Sequence, residues 1–244
     1  MGSPSVAQSV GGHPTLTKAP VIEAVFEFRA RASSFSLLPG ALADPLKSLN
    51  YPKVVETELA KFGPMMELPD VPVDAPFLVT HRFSSEDDKS VVQIGPRGMT
   101  VNALAYPGFG AFRSTVTKVL DTYIALAQPK TVSRLGLRYI NHVPSTTGRL
   151  FGSFAVKLEW PPLAGATQKS LAARMVLSYS EPPGELGIAI GDPADKASLD
   201  LDFFLLPDRP MSQEQVLAWL DRAHDRVYEA FRSMVPSELF ASWK

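Results

Sequence analysis

The sequence predicts an α+β fold, with a mostly antiparallel sheet and two long amphipathic helices. Two observations carry that prediction. Several short segments alternate apolar and polar residues and are separated by Pro- and Gly-bearing turns, while the segments 108–127 and 213–234 repeat apolar residues at steps of three and four. A period of two puts alternate side chains on opposite faces of a strand; steps of three and four put them on one stripe of a helix. Runs of strands punctuated by isolated helices pack those helices on one sheet face.

Residues 1–15 are small and polar without periodicity, which predicts an unstructured tail. Ala19 to Arg29 then alternates, with Ile22, Ala24, Phe26 and Phe28 on one face and Glu23, Val25, Glu27 and Arg29 on the other. That is a half-buried strand, opened by Pro20. Ser36 to Asp44 carries turn residues, Val54 to Phe62 is expected as a short helix, and prolines between 39 and 76 break anything longer. Three strands follow: Phe77 to Phe83, then Ser90 to Ile94 and Met99 to Leu104 flanking the turn Gly95-Pro-Arg-Gly98. The first long helix runs from Gly108 to Ala127, with Phe109, Phe112, Val116, Val119, Leu120, Tyr123 and Leu126 as its inner stripe, and Pro129 stops it.

The second half repeats the order. Arg134 to Val143 is an alternating strand and Phe154 to Trp160 another, closed by two prolines. Ala173 to Ser180, Glu185 to Ile190 and Leu199 to Leu206 supply three more. Ser212 and Gln215 form the Ser-x-x-Gln capping box of a helix from Gln213 to Met234, striped by Val216, Leu220, Ala223, Val227 and Phe231. Leu239, Phe240 and Trp243 are expected to fold back on the body. Both halves therefore read strand, insertion, three strands, long helix. Internal duplication and a chance recurrence of hairpins before helices both account for it. The expected organisation is a tail over 1–15, a first half over 16–130 and a second over 131–244, packed as one body.

Composition narrows the function. The 244 residues carry 24 Lys+Arg against 25 Asp+Glu, so the basic field of a general nucleic-acid binder is absent. There is no Cys, which removes disulfides, thiolate metal sites and a cysteine nucleophile together. The four His, at 13, 81, 142 and 224, have no metal-site spacing, so no metal and no cofactor is expected. Phosphate-cradle and serine-elbow motifs are missing as well. No apolar run approaches the length of a membrane span and no secretory leader is evident, so the expected location is the cytoplasm.

Three stretches carry a family likeness: Ala19-Pro-Val-Ile-Glu-Ala-Val-Phe-Glu-Phe-Arg29, Arg134-Leu-Gly-Leu-Arg-Tyr-Ile-Asn-His142, and Tyr106 followed by Phe109 and Phe112. With these the chain resembles a sporadically distributed family of uncharacterised bacterial proteins of about this length, from Leu16 onward except over 145–170. The resemblance implies no activity. The patchy occurrence of that family is similar to that of genes on mobile elements, including conflict and defence systems.

The candidate binding residues lie on the polar strand faces. Glu23, Glu27 and Arg29 share one face, Arg134, Arg138 and His142 another, and Asp200 and Asp202 a third. If the first and middle strands adjoin, the acids can meet the arginines. One reading is a polar groove that orients an anionic or peptide-like ligand through bidentate arginines; the other is a set of cross-strand ion pairs. Asn141 belongs to the apolar face with Leu135, Leu137 and Tyr139, where its amide is expected to bond a loop backbone. His224 reads as a partly exposed helix residue, and Phe26, Phe28, Phe203 and Phe204 as core. Trp160, at a strand end beside two prolines, is a candidate partner contact or a core residue.

The expected function is a non-catalytic protein-binding or regulatory module, with homo-oligomers open to it through sheet edges. The alternative is an enzyme or effector acting on a small anionic substrate or nucleic acid through Glu23, Glu27, Arg134, Arg138 and His142.

Overall fold

The computed structural model describes residues 18–30, 38–58, 79–144, 172–191 and 196–244, together with His13 and Leu16. The alternation after Pro20 forms β1 (Val21–Ala30), whose residues Ala24, Phe26, Phe28 and Ala30 are buried while Glu23, Val25, Glu27 and Arg29 are half-buried on the other face. Ile22 departs from the expected apolar face and is exposed, because the pairing with the middle strand shifts register between Val21 and Glu23.

The remaining elements are α1 (Leu38–Ser48), β2 (Lys53–Glu58), β3 (Val79–Ser84), β4 (Ser90–Gly95), β5 (Gly98–Ala103), α2 (Phe109–Ala127), β6 (Val132–Pro144), β7 (Ala172–Ser180), β8 (Pro183–Gly191), β9 (Lys196–Leu205), α3 (Gln213–Met234) and α4 (Ser237–Ala241). The nine strands form one sheet in the order β2-β3-β4-β5-β1-β6-β9-β8-β7, and every neighbouring pair is antiparallel. This is the expected α+β class.

Two local expectations are corrected. The segment read as turns is the helix α1, because Leu42 and Leu46 stand one turn apart and both are buried against the core despite Pro45 inside the helix. The segment read as a short helix begins as the strand β2, because Val54 to Thr57 pair residue by residue with β3. Propensity is a weak prior, and tertiary pairing overrides it.

The helices lie over one face of the sheet. Their buried residues join a single cluster with the inward residues of seven strands, including Phe26, Phe28, Leu137, Leu199, Phe203 and Trp219. The α2 stripe is as expected up to Tyr123 but ends on Ala127, with Leu126 exposed. The capping box of α3 is present in full: the Gln215 amide donates to the Ser212 hydroxyl, and the Ser212 amide donates to the Gln215 side chain. Arg113 of α2 grips Asp221 of α3 with two hydrogen bonds of 2.5 and 2.8 Å, which ties the two helices together. Phe240 and Trp243 are buried, Trp243 stacking on Phe231 at 6.0 Å, so the C-terminal turn does fold back.

Of the expected tail, His13 is described and packs on α3, stacked on Tyr228 and hydrogen-bonded to Asp225 at 2.8 Å. The strand expected at Phe154 to Trp160 lies outside the described residues, as does Trp160 itself. No helix among the described residues is long and apolar enough to cross a membrane.

Candidate functional site on the polar face of the sheet

Strand parity builds this site. β1 and β6 pair along most of their length, so the outward residues of one stand among the outward residues of the other: Val25 opposite Arg138, Glu27 opposite Gly136, Arg29 opposite Arg134. β9 then adds Phe204 opposite Gly136, Asp202 opposite Arg138 and Asp200 opposite Ile140. Phe204, expected in the core, therefore lies on the polar face, since it shares parity with the two aspartates.

Arg29 and Arg134 face each other in register, a like-charge opposition that costs free energy unless something intervenes. Glu27 intervenes. It accepts from Arg29 Nε at 2.6 Å and faces Arg134 Nε at 3.0 Å. Arg134 extends along its own strand over Gly136, stacks its guanidinium on Phe204 at 4.6 Å, and donates from Nη2 to Asp202 at 2.8 Å. Gly136 makes the room. A Cβ there would stand 3.3 Å from Arg134 Nη1 and 3.4 Å from Glu27 Oε2. The same Nη1 is buried without a hydrogen-bond partner.

Arg138 forks onto Asp200, Nε to Oδ1 at 2.8 Å and Nη2 to Oδ2 at 2.5 Å. Those bonds outweigh the desolvation of the guanidinium and raise its pKa above the ordinary arginine value. Burial raises the pKa of Asp202, with Arg134 pulling in the opposite direction. On the other side of β1, Glu23 accepts from the Asn102 amide at 2.7 Å, and Thr100 donates to Asn102 at 2.8 Å. Glu23 thus meets neither arginine by hydrogen bond. His142 lies four residues beyond Arg138, opposite Ser198, and stands apart from the ion-pair chain. His81 and His142 do not meet: β3 and β6 are separated by three strands, and the two side chains occupy opposite faces.

The inward face holds a second polar group that the sequence did not signal. His224 of α3 lies flat on Phe109 at 3.7 Å, its Nδ1 is 3.2 Å from the Tyr139 hydroxyl, and Tyr139 in turn meets Tyr106 at 3.3 Å. Burial, with His13 nearby, pushes the His224 pKa down to about 3. Burial pushes Tyr106 up to about 12 and Tyr139 well above its usual value. All three are neutral at neutral pH, so His224 is a packing and hydrogen-bonding residue there. Asn141, 1% exposed, donates to Leu199 O at 3.0 Å and Tyr139 O at 3.4 Å. Its partners are strand carbonyls where a loop was expected, because β9 adjoins β6.

Two clefts lie elsewhere. One of about 550 Å³ runs between the end of α1, the β3–β4 turn and α2, lined by Tyr51, Ser85, Asp87, Lys89 and Lys118 among others. Ser85 and the Lys89 backbone amide hold Asp87 down at about 2. The other, of about 360 Å³, surrounds the Arg113–Asp221 pair. None of Glu23, Glu27, Arg29, Arg134, Arg138 and His142 lines either one. Among the described residues no group of three or more His, Asp or Glu is arranged to hold a metal ion. Comparison of the chain with protein-family models, with curated proteins and with solved structures finds no match.

Proposed function

We propose that this protein is a non-catalytic binding module that recognises a protein partner through the polar face of its sheet. One observation carries the reading: the arginines of β6 are satisfied by carboxylates of β1 and β9 within a sheet surface, and among the described residues they line neither of the two clefts. A surface of fixed, alternating charge suits a partner of mixed charge and sets register more than raw affinity. A catalytic site needs a concave, water-excluding pocket with titratable groups poised at working pH. The balanced formal charge of −1 supports a protein partner over nucleic acid, and the absence of a long apolar run supports action in the cytoplasm.

The order of strands supports duplicated halves. Counting from the first strand of each, the neighbours run β1-β5-β4-β3 on one side and β6-β9-β8-β7 on the other, each half closing with a long helix. The proposed recognition face straddles the β1–β6 seam between them.

The test is capture of a partner from the native host by the wild-type chain and by Arg138→Ala. Recovery of the same protein by the wild type alone, with the melting temperature of the variant lowered only slightly, is expected. Equal recovery by both, or no specific protein from either, overturns the reading.

The buried, unpartnered Nη1 of Arg134 favours a second reading, in which the face takes a small anion. Titration calorimetry with inorganic phosphate decides it: binding by the wild type that is lost in Arg134→Gln supports it, and no heat of binding removes it.

A further inference from the structure

The two ends of the sheet are unlike. β2 is an edge whose row of residues, Lys53-Val-Val-Glu-Thr-Glu58, carries charges at both ends and in the middle; Lys53 pairs with Asp88 at 2.8 Å and Glu56 with His81 at 3.7 Å. Charges on an edge strand repel another strand seeking the free backbone groups. β7, at the opposite end, has no such guard. Its nine residues, Ala172-Ala-Arg-Met-Val-Leu-Ser-Tyr-Ser180, hold a single charge, and every one of them pairs with β8 on the inner side. No described strand pairs with the outer side.

The apolar residues of β7 are exposed where they should be buried. Met175 and Leu177 stand opposite Ile188 and Leu186, both of which are buried in the core layer, yet Met175 is 48% exposed and Leu177 37%. Val176, between them on the other face, is 48% exposed. The core layer thus ends abruptly at a long strand whose one charge is Arg174, and three consecutive large apolar residues line its edge. Continuation of the sheet by another strand is what covers such an edge.

The sequence of β7 fits its own copy. With an antiparallel neighbour centred on Val176, Val176 faces Val176, Met175 faces Leu177, Arg174 faces Ser178, Ala173 faces Tyr179 and Ala172 faces Ser180. The lone charge is set against a hydroxyl in both copies, so no like-charge pair forms. Met175 and Leu177 of one copy extend the apolar layer of the other. A twofold interface of this kind is self-complementary by construction.

We propose that β7 is a homodimerisation edge, joining two copies antiparallel about Val176 into one continuous sheet. The absence of any native Cys makes the test free of background. Directly opposed residues in an antiparallel pair have Cβ atoms about 4.5–5.5 Å apart, close enough for a disulfide after small adjustment. Under mild oxidation the full chain bearing Val176→Cys is expected to form a covalent dimer, and Val55→Cys on β2 is not. A mixture of Arg174→Cys and Ser178→Cys chains is expected to cross-link to each other and not to themselves, which reads the register directly. By light scattering the wild type is expected as a dimer and Val176→Lys as a monomer of unchanged melting temperature. A monomeric wild type at the highest soluble concentration, a dimer that survives Val176→Lys, or cross-linking through Val55→Cys instead overturns the proposal. Arg138→Ala leaves the cross-linking unchanged, so this result and that of the partner capture are read separately.

Discussion

Arg138 stands directly opposite Asp202 in the β6–β9 register, yet its guanidinium forks onto Asp200, two residues further along the strand. The displacement follows from Arg134, which reaches Asp202 from the other direction over the space left by Gly136. Two arginines and two aspartates are thereby paired one to one. Gly136 leaves the room in which the Arg134 side chain lies.

That pairing predicts how Arg138→Ala behaves. The Arg138 side chain is 40% exposed and Asp200 23%, so solvent screens the pair and its net worth is small. Loss of about 1 kcal/mol or less is expected in urea unfolding, alongside loss of partner capture. A large destabilisation would make the pair a structural brace.

Gly136 is expected to matter more than its size suggests. Gly136→Ala places a methyl group at the tight limit against two flexible side-chain ends and is expected to cost about 1 kcal/mol or less. Gly136→Val fills the space and displaces the Arg134 guanidinium from Glu27 and Asp202, leaving Asp202 unpaired and Glu27 with Arg29 alone; about 2–3 kcal/mol is expected. Denaturant midpoints of the two variants check the difference.

Acid sensitivity is expected from His224. Unfolded, it takes a proton near pH 6.5; folded, only near 3. Between those values the unfolded state binds more protons, so stability falls as the pH drops through the window and is unaffected by this residue above it. Melting temperatures across the window are expected to fall less steeply for His224→Gln than for the wild type. Asp87, held down at about 2, begins to act only at the acid end of that window and is common to both proteins.

Among the described glycines, Gly98 is the one least able to accept a side chain. Its φ is +140°, and a Cβ would stand 2.0 Å from the carbonyl oxygen of Phe28 in the neighbouring strand. Gly98→Ala forces β5 away from β1 and is expected to destabilise by about 3 kcal/mol or more. An unchanged melting temperature would contradict this.

The polar site was legible residue by residue and illegible as pairs. Parity placed Glu27, Arg134, Arg138, Asp200 and Asp202 on outward faces, because a strand has a period of two whatever it pairs with. Parity also implied that Phe204 points outward with the aspartates, a signal overlooked because an aromatic residue suggests the core. The Tyr106–Tyr139–His224 group had no such signal, since its members come from a loop, a strand and a helix far apart in the chain.

The sequence by itself determined the α+β class, the faces of β1 beyond Ile22 and of β6, the stripe of α2 as far as Tyr123, the stripe of α3 and the capping box at Ser212, all of which depend on spacings within one segment. The tertiary structure alone decided that α1 is helical and β2 extended, that β6 lies between β1 and β9, and that Glu27 separates two opposed arginines. Those outcomes depend on register between distant segments, which each strand leaves open until its neighbour is in place.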